Sequence, residues 1–160
     1  MERRSFIKSG LLAALASSGA GSSLAEPGKP KQIARRPLGR TGEQVCSLCF
    51  PGTAVMSVDQ STANRRVAEG VDRGMNYFDV CPTYLDAEDR LGPALRPYRT
   101  QCFLASKTDG RDSATAEADL NKSLKTLQTD HFDLYHFHAL EKMEAVDRME
   151  RLVLCELREV

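Results

Sequence analysis

The segment Asn76-Tyr77-Phe78-Asp79-Val80-Cys81-Pro82-Thr83-Tyr84 places two ionisable side chains, Asp79 and Tyr84, at and just past the end of a short apolar run. Two later segments are built in the same way: Cys102-Phe103-Leu104-Ala105-Ser106-Lys107 and Phe132-Asp133-Leu134-Tyr135-His136-Phe137-His138. We interpret all three as β-strands, because amphipathic stretches of helical length separate them. Alternating strands and helices form a parallel sheet. The pattern therefore predicts an α/β fold of the (β/α)8 TIM-barrel type, whose active sites lie at the carboxyl ends of the strands.

Further motifs surround these strands. Glu88-Asp89-Arg90-Leu91-Gly92 follows Tyr84, Thr108 follows Lys107, and Arg36-Pro37-Leu38-Gly39-Arg40-Thr41-Gly42 precedes the first strand. In this order, the motifs resemble those of the aldo-keto reductase family from about Arg35 to Arg148. The resemblance implies a nicotinamide-dependent enzyme that reduces an aldehyde or ketone to an alcohol.

The resemblance also assigns roles to side chains. Reducing a carbonyl requires a hydride at carbon and a proton at oxygen, and only a cofactor supplies the hydride. The family pattern makes Tyr84 the proton donor, with Lys107 to favour its ionised form and Asp79 to hold the lysine. His138 would orient and polarise the substrate carbonyl. The expected cofactor is NADPH, or else NADH, beside Gly52, Thr53 and Asp79.

A purely structural interpretation of these residues is also open. Asp79 and Lys107 would then be a buried ion pair, and His138 a histidine satisfied by its neighbours. For the protein, the alternatives are a non-catalytic subunit that senses a cofactor or binds a partner, and an inactive truncated product. The chain departs from the family pattern at Pro51, Cys81, Leu85 and Pro93, and Leu85 stands where a glycine usually follows the catalytic tyrosine.

The chain length conflicts with a whole barrel. A closed barrel typically takes about 250 residues, whereas this chain has 160 and shows four strand–helix units. We divide it into a barrel half at 35–148 and an atypical, frameshifted tail at 149–160. Half a barrel leaves open sheet edges, so we expect either a partner or a second copy of the chain to cover them.

Local signals predict the individual elements. Val45 to Phe50 reads as the first barrel strand, ended by Pro51-Gly52. A helix from Thr62 to Arg73 would start at a cap on Asp59 or Ser61 and end at Gly74. Two more helices are predicted, from Ala87 to Leu95 and from Ala114 to Leu127. The last would follow a cap at Asp112 or Ser113 and turn Leu120, Leu124 and Leu127 toward the sheet.

The N-terminus reads as an export signal. Met1-Glu2-Arg3-Arg4-Ser5-Phe6-Ile7-Lys8 looks like a twin-arginine signal, and an apolar stretch from Leu11 to Leu24 follows it. Ser23-Leu24-Ala25 offers a cleavage site, which predicts a signal peptide at 1–25 and a linker at 26–34. The stretch is too short and too weakly apolar for a membrane span. We expect the twin-arginine machinery to export the chain to the periplasm or beyond.

Charge and composition exclude other functions. With 22 basic and 22 acidic residues, the chain has no electrostatic basis for binding nucleic acid. It has neither a Gly-x-Gly-x-x-Gly fingerprint nor a P-loop. Cys46-Ser47-Leu48-Cys49 lacks a matching second pair, so we expect core thiols and no metal site. We also expect His131 to be exposed and His136 to pack in the core.

Overall fold

The computed structural model describes residues 32–141 together with Met143 and Val146. The predicted signal peptide, most of the predicted linker and the predicted tail lie outside the described residues. Six strands and three α-helices make up the described part: β1 (Arg35–Pro37), β2 (Gln44–Cys46), β3 (Phe50–Pro51), α1 (Gln60–Asp72), β4 (Tyr77–Asp79), α2 (Ala87–Leu95), β5 (Phe103–Thr108), α3 (Ser113–Leu127) and β6 (Leu134–Phe137). Two 3₁₀ helices, Gly52–Val55 and Arg96–Gln101, follow β3 and α2.

The chain opens with the predicted hairpin. β1 and β2 pair antiparallel, and the turn between them uses Gly39 and Gly42 at φ +54° and +88°. The prediction of one strand from Val45 to Phe50 was wrong, because this run is divided between β2 and β3. The side-chain oxygen of Asn76 accepts a hydrogen bond from the Cys46 N–H at 2.7 Å, which ties β2 to the start of β4. Pro51 lies within β3 rather than after it; β3 is an edge strand, where a missing N–H is tolerated.

Side-chain caps start two of the helices. Asp59 accepts a hydrogen bond from the Thr62 N–H at 2.9 Å and begins α1. Asp112 likewise accepts from the Thr115 N–H at 2.9 Å and begins α3. Each aspartate, and not the serine that was its alternative, is therefore the cap. Gly74, at φ +91°, follows the end of α1 as predicted.

The main sheet has the strand order β3-β4-β5-β6, and every pair in it is parallel. The helices between the strands bury a shared apolar cluster that includes Phe78, Leu91 and Leu104. Leu127 of α3 is buried, whereas Leu120 and Leu124 are half-buried. The fold-class prediction is confirmed: the described residues form four parallel strands of a barrel-type sheet, connected by three helices, with the carboxyl ends of the strands at one edge.

No described helix combines the length and the apolar character that crossing a membrane requires.

Candidate active site

Asp79 and Lys107 form an ion pair at the carboxyl edge of the sheet. Asp79 ends β4, and Lys107 is the second-last residue of β5. The Lys107 Nζ donates to Asp79 Oδ1 and also to the Val80 carbonyl at 3.3 Å. The lysine side chain is 9% exposed, against 26% for the aspartate. A buried ammonium needs such a partner, so the aspartate balances the lysine charge and fixes its position.

His136 lies beside this ion pair. It is the register partner of Lys107 on β6, so the two side chains share one face of the sheet. Its Nε2 is 3.7 Å from Asp79 Oδ1, and its side chain is 39% exposed. His136 points inward as predicted, but it is not packed in the core. Burial and the Lys107 charge lower the pKa of His136, which favours its neutral form at pH 7.

Tyr84 lies in the loop between β4 and α2. Its N–H donates to the Cys81 carbonyl at 3.0 Å, and its carbonyl accepts from the Ala87 N–H at 2.9 Å, where α2 begins. The Lys107 Nζ is 5.7 Å from the centre of the Tyr84 ring. Among the described residues, none forms a hydrogen bond with the phenol oxygen. The phenol is therefore free to form a hydrogen bond with a bound ligand.

His138 follows β6 directly, and its backbone is fixed on both sides. Its N–H donates to the Thr108 carbonyl at 2.9 Å, and its carbonyl accepts from Arg111 Nη2 at 2.6 Å. The His138 and Tyr84 rings are 6.0 Å apart, edge to face. The carboxyl ends of three strands and the loops after them thus bring Tyr84, Lys107 and His138 to one place, which is the placement that the sequence predicted.

The ring of His138 has a partner that the sequence analysis missed. Its Nδ1 is 3.0 Å from Asp109 Oδ1 and 3.6 Å from Cys81 Sγ. A carboxylate only accepts, so this hydrogen bond requires a proton on Nδ1. Nε2 then donates to a substrate oxygen only when the ring is doubly protonated. Asp109 comes directly after β5, and this position at the carboxyl edge of the sheet could have identified it as a candidate site residue.

Gly52 and Thr53 begin the 3₁₀ helix after β3. A Cβ on Gly52 would lie 2.6 Å from Val80 Cγ2, so packing against β4 already requires glycine here. Thr53 is exposed at the same edge. Asp79 Oδ2 has no hydrogen-bond partner in the described part of the chain. A threonine hydroxyl just past β3 and a carboxylate oxygen at the end of the adjacent β4 fit the carboxamide of a nicotinamide, which both donates and accepts.

The described cysteines are free thiols, and three of the four are buried. Cys49 is half-buried, and burial together with the nearby Asp79 charge raises its pKa to about 12. At neutral pH this thiol is protonated and therefore a poor nucleophile. Burial also raises the pKa of Tyr77, with smaller contributions from Cys49 and Asp79. Cys155 lies outside the described residues.

Leu85 has a left-handed backbone, with φ +48°. Only glycine adopts this region without a steric cost, which explains why a glycine is favoured after the catalytic tyrosine in the family pattern. The Leu85 side chain is 74% exposed. Leucine at position 85, where the family pattern has glycine, therefore strains the Tyr84 loop, while its exposed side chain points away from the packed part of the fold.

Comparison with known proteins gives a consistent family assignment. The sequence profile described as "Aldo/keto reductase family" matches residues 50–156. Methylglyoxal reductase YeaE of Escherichia coli (strain K12) is 33% identical over 112 residues, which cover 64% of this chain and 39% of that protein. The chain spans less than half the length of the curated relatives it matches.

Solved structures that resemble this chain belong to the same family. A putative aldo-keto reductase from Pseudomonas aeruginosa has a TM-score of 0.68 and 28% identity, over 79% of this chain and 58% of that one. An aldo-keto reductase from Klebsiella pneumoniae in complex with NADPH has a TM-score of 0.54 and 27% identity, over 78% of this chain and 46% of its own.

Proposed function

The chain belongs to the aldo/keto reductase family, and we propose that it carries the catalytic side chains of an NADPH-dependent carbonyl reductase. The observation that carries this proposal is the Asp79–Lys107 ion pair beside the free phenol of Tyr84. A relative named for methylglyoxal reduction supports an aldehyde or ketone as the substrate class.

Tyr84 is the proposed proton donor. When bound, the nicotinamide supplies a hydride to the carbonyl carbon. The Tyr84 phenol gives its proton to the carbonyl oxygen, which leaves a phenolate. Lys107, 5.7 Å from the ring centre, stabilises this negative charge. Asp79 holds Lys107 in place.

His138 is proposed to orient the substrate. Its ring stands edge to face with Tyr84 at 6.0 Å, so a carbonyl oxygen that contacts the phenol also lies near the imidazole. Asp109 fixes the orientation of the ring through Nδ1 at 3.0 Å. In its doubly protonated form, the ring donates from Nε2 to the oxygen that becomes negative.

Gly52, Thr53 and Asp79 are the proposed contacts to the cofactor. Gly52 packs closely on Val80, and the Thr53 hydroxyl and Asp79 Oδ2 would hold the carboxamide through hydrogen bonds. The solved structures in complex with NADP and NADPH support NADPH as the cofactor. NADH would meet the same nicotinamide contacts.

A turnover assay separates this proposal from a non-catalytic subunit. The purified chain is mixed with saturating NADPH and methylglyoxal, and the loss of NADPH absorbance is followed. In parallel, cofactor fluorescence measures binding. We expect NADPH to be consumed only when the aldehyde is present. Cofactor binding without consumption would instead support a cofactor-sensing role.

We also propose that residues 1–25 direct export to the periplasm by the twin-arginine machinery. The Arg3-Arg4 pair, the apolar stretch and the Ser23-Leu24-Ala25 site support this. Replacing both arginines by lysine should retain the chain in the cytoplasm in cell fractionation, whereas the same change at Arg35 and Arg36 should not. Unchanged export of the first variant would refute this route.

A further inference from the structure

We propose that Cys81, Asp109 and His138 form a binding site for a Zn²⁺ ion at the mouth of the candidate active site. Cys81 Sγ, a carboxylate oxygen of Asp109 and His138 Nδ1 all lie within 4.8 Å of one another. Each residue lies one or two positions past the end of a different strand, namely β4, β5 and β6. The sequence analysis expected no metal, because it considered only cysteines that are close together in the sequence.

The distances between these atoms suit a tetrahedral zinc ion. Zinc takes thiolate sulfur at about 2.3 Å and imidazole nitrogen at about 2.0–2.1 Å, which places the two ligand atoms roughly 3.6 Å apart. The observed separation of Cys81 Sγ and His138 Nδ1 is 3.6 Å. Nitrogen and carboxylate oxygen ligands stand roughly 3.3 Å apart on zinc, against the 3.0 Å between His138 Nδ1 and Asp109 Oδ1. These two separations agree with zinc to within a few tenths of an ångström, and the third pair, Cys81 Sγ and the Asp109 carboxylate, lies within 4.8 Å.

The ligand types and their surroundings also favour zinc. Sulfur, nitrogen and carboxylate oxygen together are a donor set that zinc accepts, and three protein ligands leave a fourth position for water or another small ligand. Cys81 is fully buried, while Asp109 is exposed and gives the ion a way in. Neighbouring groups hold the ligands: Thr83 Oγ1 is 3.1 Å from Cys81 Sγ, and Arg111 binds the His138 carbonyl. Such outer contacts fix ligand orientation and increase affinity.

A bound ion would act on the neighbouring chemistry. Zinc on Nδ1 would replace the proton that His138 shares with Asp109 and would leave the remaining ring proton on Nε2, the nitrogen that would donate to a substrate oxygen. The geometry therefore points to a metal that acts on the candidate active site through His138, and zinc should change the rate of aldehyde reduction. This consequence rests on the proposed function, whereas zinc binding itself does not.

Cobalt provides a direct test of binding, because Co²⁺ occupies zinc sites and its bond to a thiolate absorbs in the near ultraviolet. The reduced 160-residue chain is titrated with Co²⁺, and then Zn²⁺ is added to displace it. We expect one equivalent of cobalt to give the thiolate band and zinc to abolish it. Loss of an outer contact already lowers metal affinity about 10–100-fold, so Cys81→Ser should remove the band and lower zinc affinity at least about 100-fold.

Two further variants make the outcome unambiguous. Asp109→Asn keeps the thiol and should weaken cobalt binding at least about tenfold, and Cys49→Ser removes a thiol outside the cluster and should leave the titration unchanged. Full binding by Cys81→Ser, or loss of the band in Cys49→Ser, would overturn the site. If the chain binds cobalt but zinc leaves the rate of aldehyde reduction unaffected, the metal does not act on the candidate active site. The titration decides on the site even if the chain shows no reductase activity.

Discussion

Leu85 strains the loop that presents the proposed proton donor. Its φ of +48° costs a non-glycine residue roughly 1–2 kcal/mol, partly offset because glycine loses roughly 0.5–1 kcal/mol more in backbone entropy on folding. We therefore predict that Leu85→Gly raises the free energy of unfolding by up to about 1 kcal/mol. Urea unfolding of the variant measures this change.

Leu48→Gly is the matched control. Leu48 is also exposed, at 57%, but its φ is not positive. Glycine should destabilise the chain there, because it brings the entropy cost without relieving strain. If both variants lose stability equally, the strain at Leu85 is not real.

The burial of Glu88 leads to a predicted pH dependence of the free energy of unfolding. It is 5% exposed, and its Oε1 has no hydrogen-bond partner among the described residues. Burial raises the pKa of Glu88, so the folded state binds the proton more tightly than the unfolded state does. The carboxylate therefore lowers stability at neutral pH, and this cost disappears below the ordinary glutamate pKa of about 4.3.

The test is Glu88→Gln, which should be more stable than the parent chain at pH 7 and nearly equal to it near pH 4. Chemical unfolding at both pH values measures the difference. Glu117→Gln changes an exposed glutamate and should have little effect at either pH. A Glu88→Gln variant that is less stable at pH 7 would show that the charged carboxylate is satisfied in the fold.

At the scale of elements, local signals predicted the helices well. The caps at Asp59 and Asp112 and the stop at Gly74 depend on side chains and backbone within a few residues, so the sequence reveals them directly. The split between β2 and β3 could not be predicted in this way. It depends on Asn76, which holds Cys46 from 30 residues away in the chain. A continuous apolar run contains no sign of such a distant contact.

The cap of α3 gives a prediction that separates two neighbouring residues. Asp112 accepts from both the N–H and the hydroxyl of Thr115, whereas Ser113 is the first residue of the helix. Asp112→Ala should lower the free energy of unfolding by about 1 kcal/mol, and Ser113→Ala should change it little. Thermal unfolding monitored by circular dichroism compares them. A larger loss of stability in Ser113→Ala than in Asp112→Ala would show that Ser113 is the cap.

The placement of the candidate site residues could be predicted where the strand ends determine it. Asp79, Lys107 and His138 lie close together because three parallel strands end at the same edge of the sheet. The order of the motifs along the chain is enough to predict this. Asp109 and His136 were missed because their roles depend on contacts across strands, at 3.0 Å to His138 and 3.7 Å to Asp79. The position of Asp109 directly after β5 marks it as a candidate, but the contacts themselves cannot be read from the sequence.

At the scale of the whole molecule, the described sheet ends in an unpaired strand edge at β6. In the described residues, β6 pairs only with β5, and Leu134 on it is 36% exposed. An unpaired strand edge is a template for another chain. We therefore propose that two copies of the chain associate through β6, and predict a concentration-dependent increase in the sedimentation coefficient.

Substitution on β6 tests this association. Leu134→Lys should shift the chain toward monomer, because a charged side chain at the edge discourages pairing. Leu48→Lys, at an exposed leucine outside the sheet, should sediment like the parent chain. A parent chain that stays monomeric at every concentration would contradict the proposal.

The most direct test of the central claim is the rate of NADPH oxidation with methylglyoxal at saturating cofactor, for the parent chain and for Tyr84→Phe. General acid catalysis contributes about 10²–10⁴-fold, so we predict that removing the phenol oxygen lowers turnover at least about 100-fold. NADPH affinity, measured by cofactor fluorescence, should be unchanged. Equal turnover by the two proteins, or no turnover by a parent chain that binds NADPH, would contradict the account.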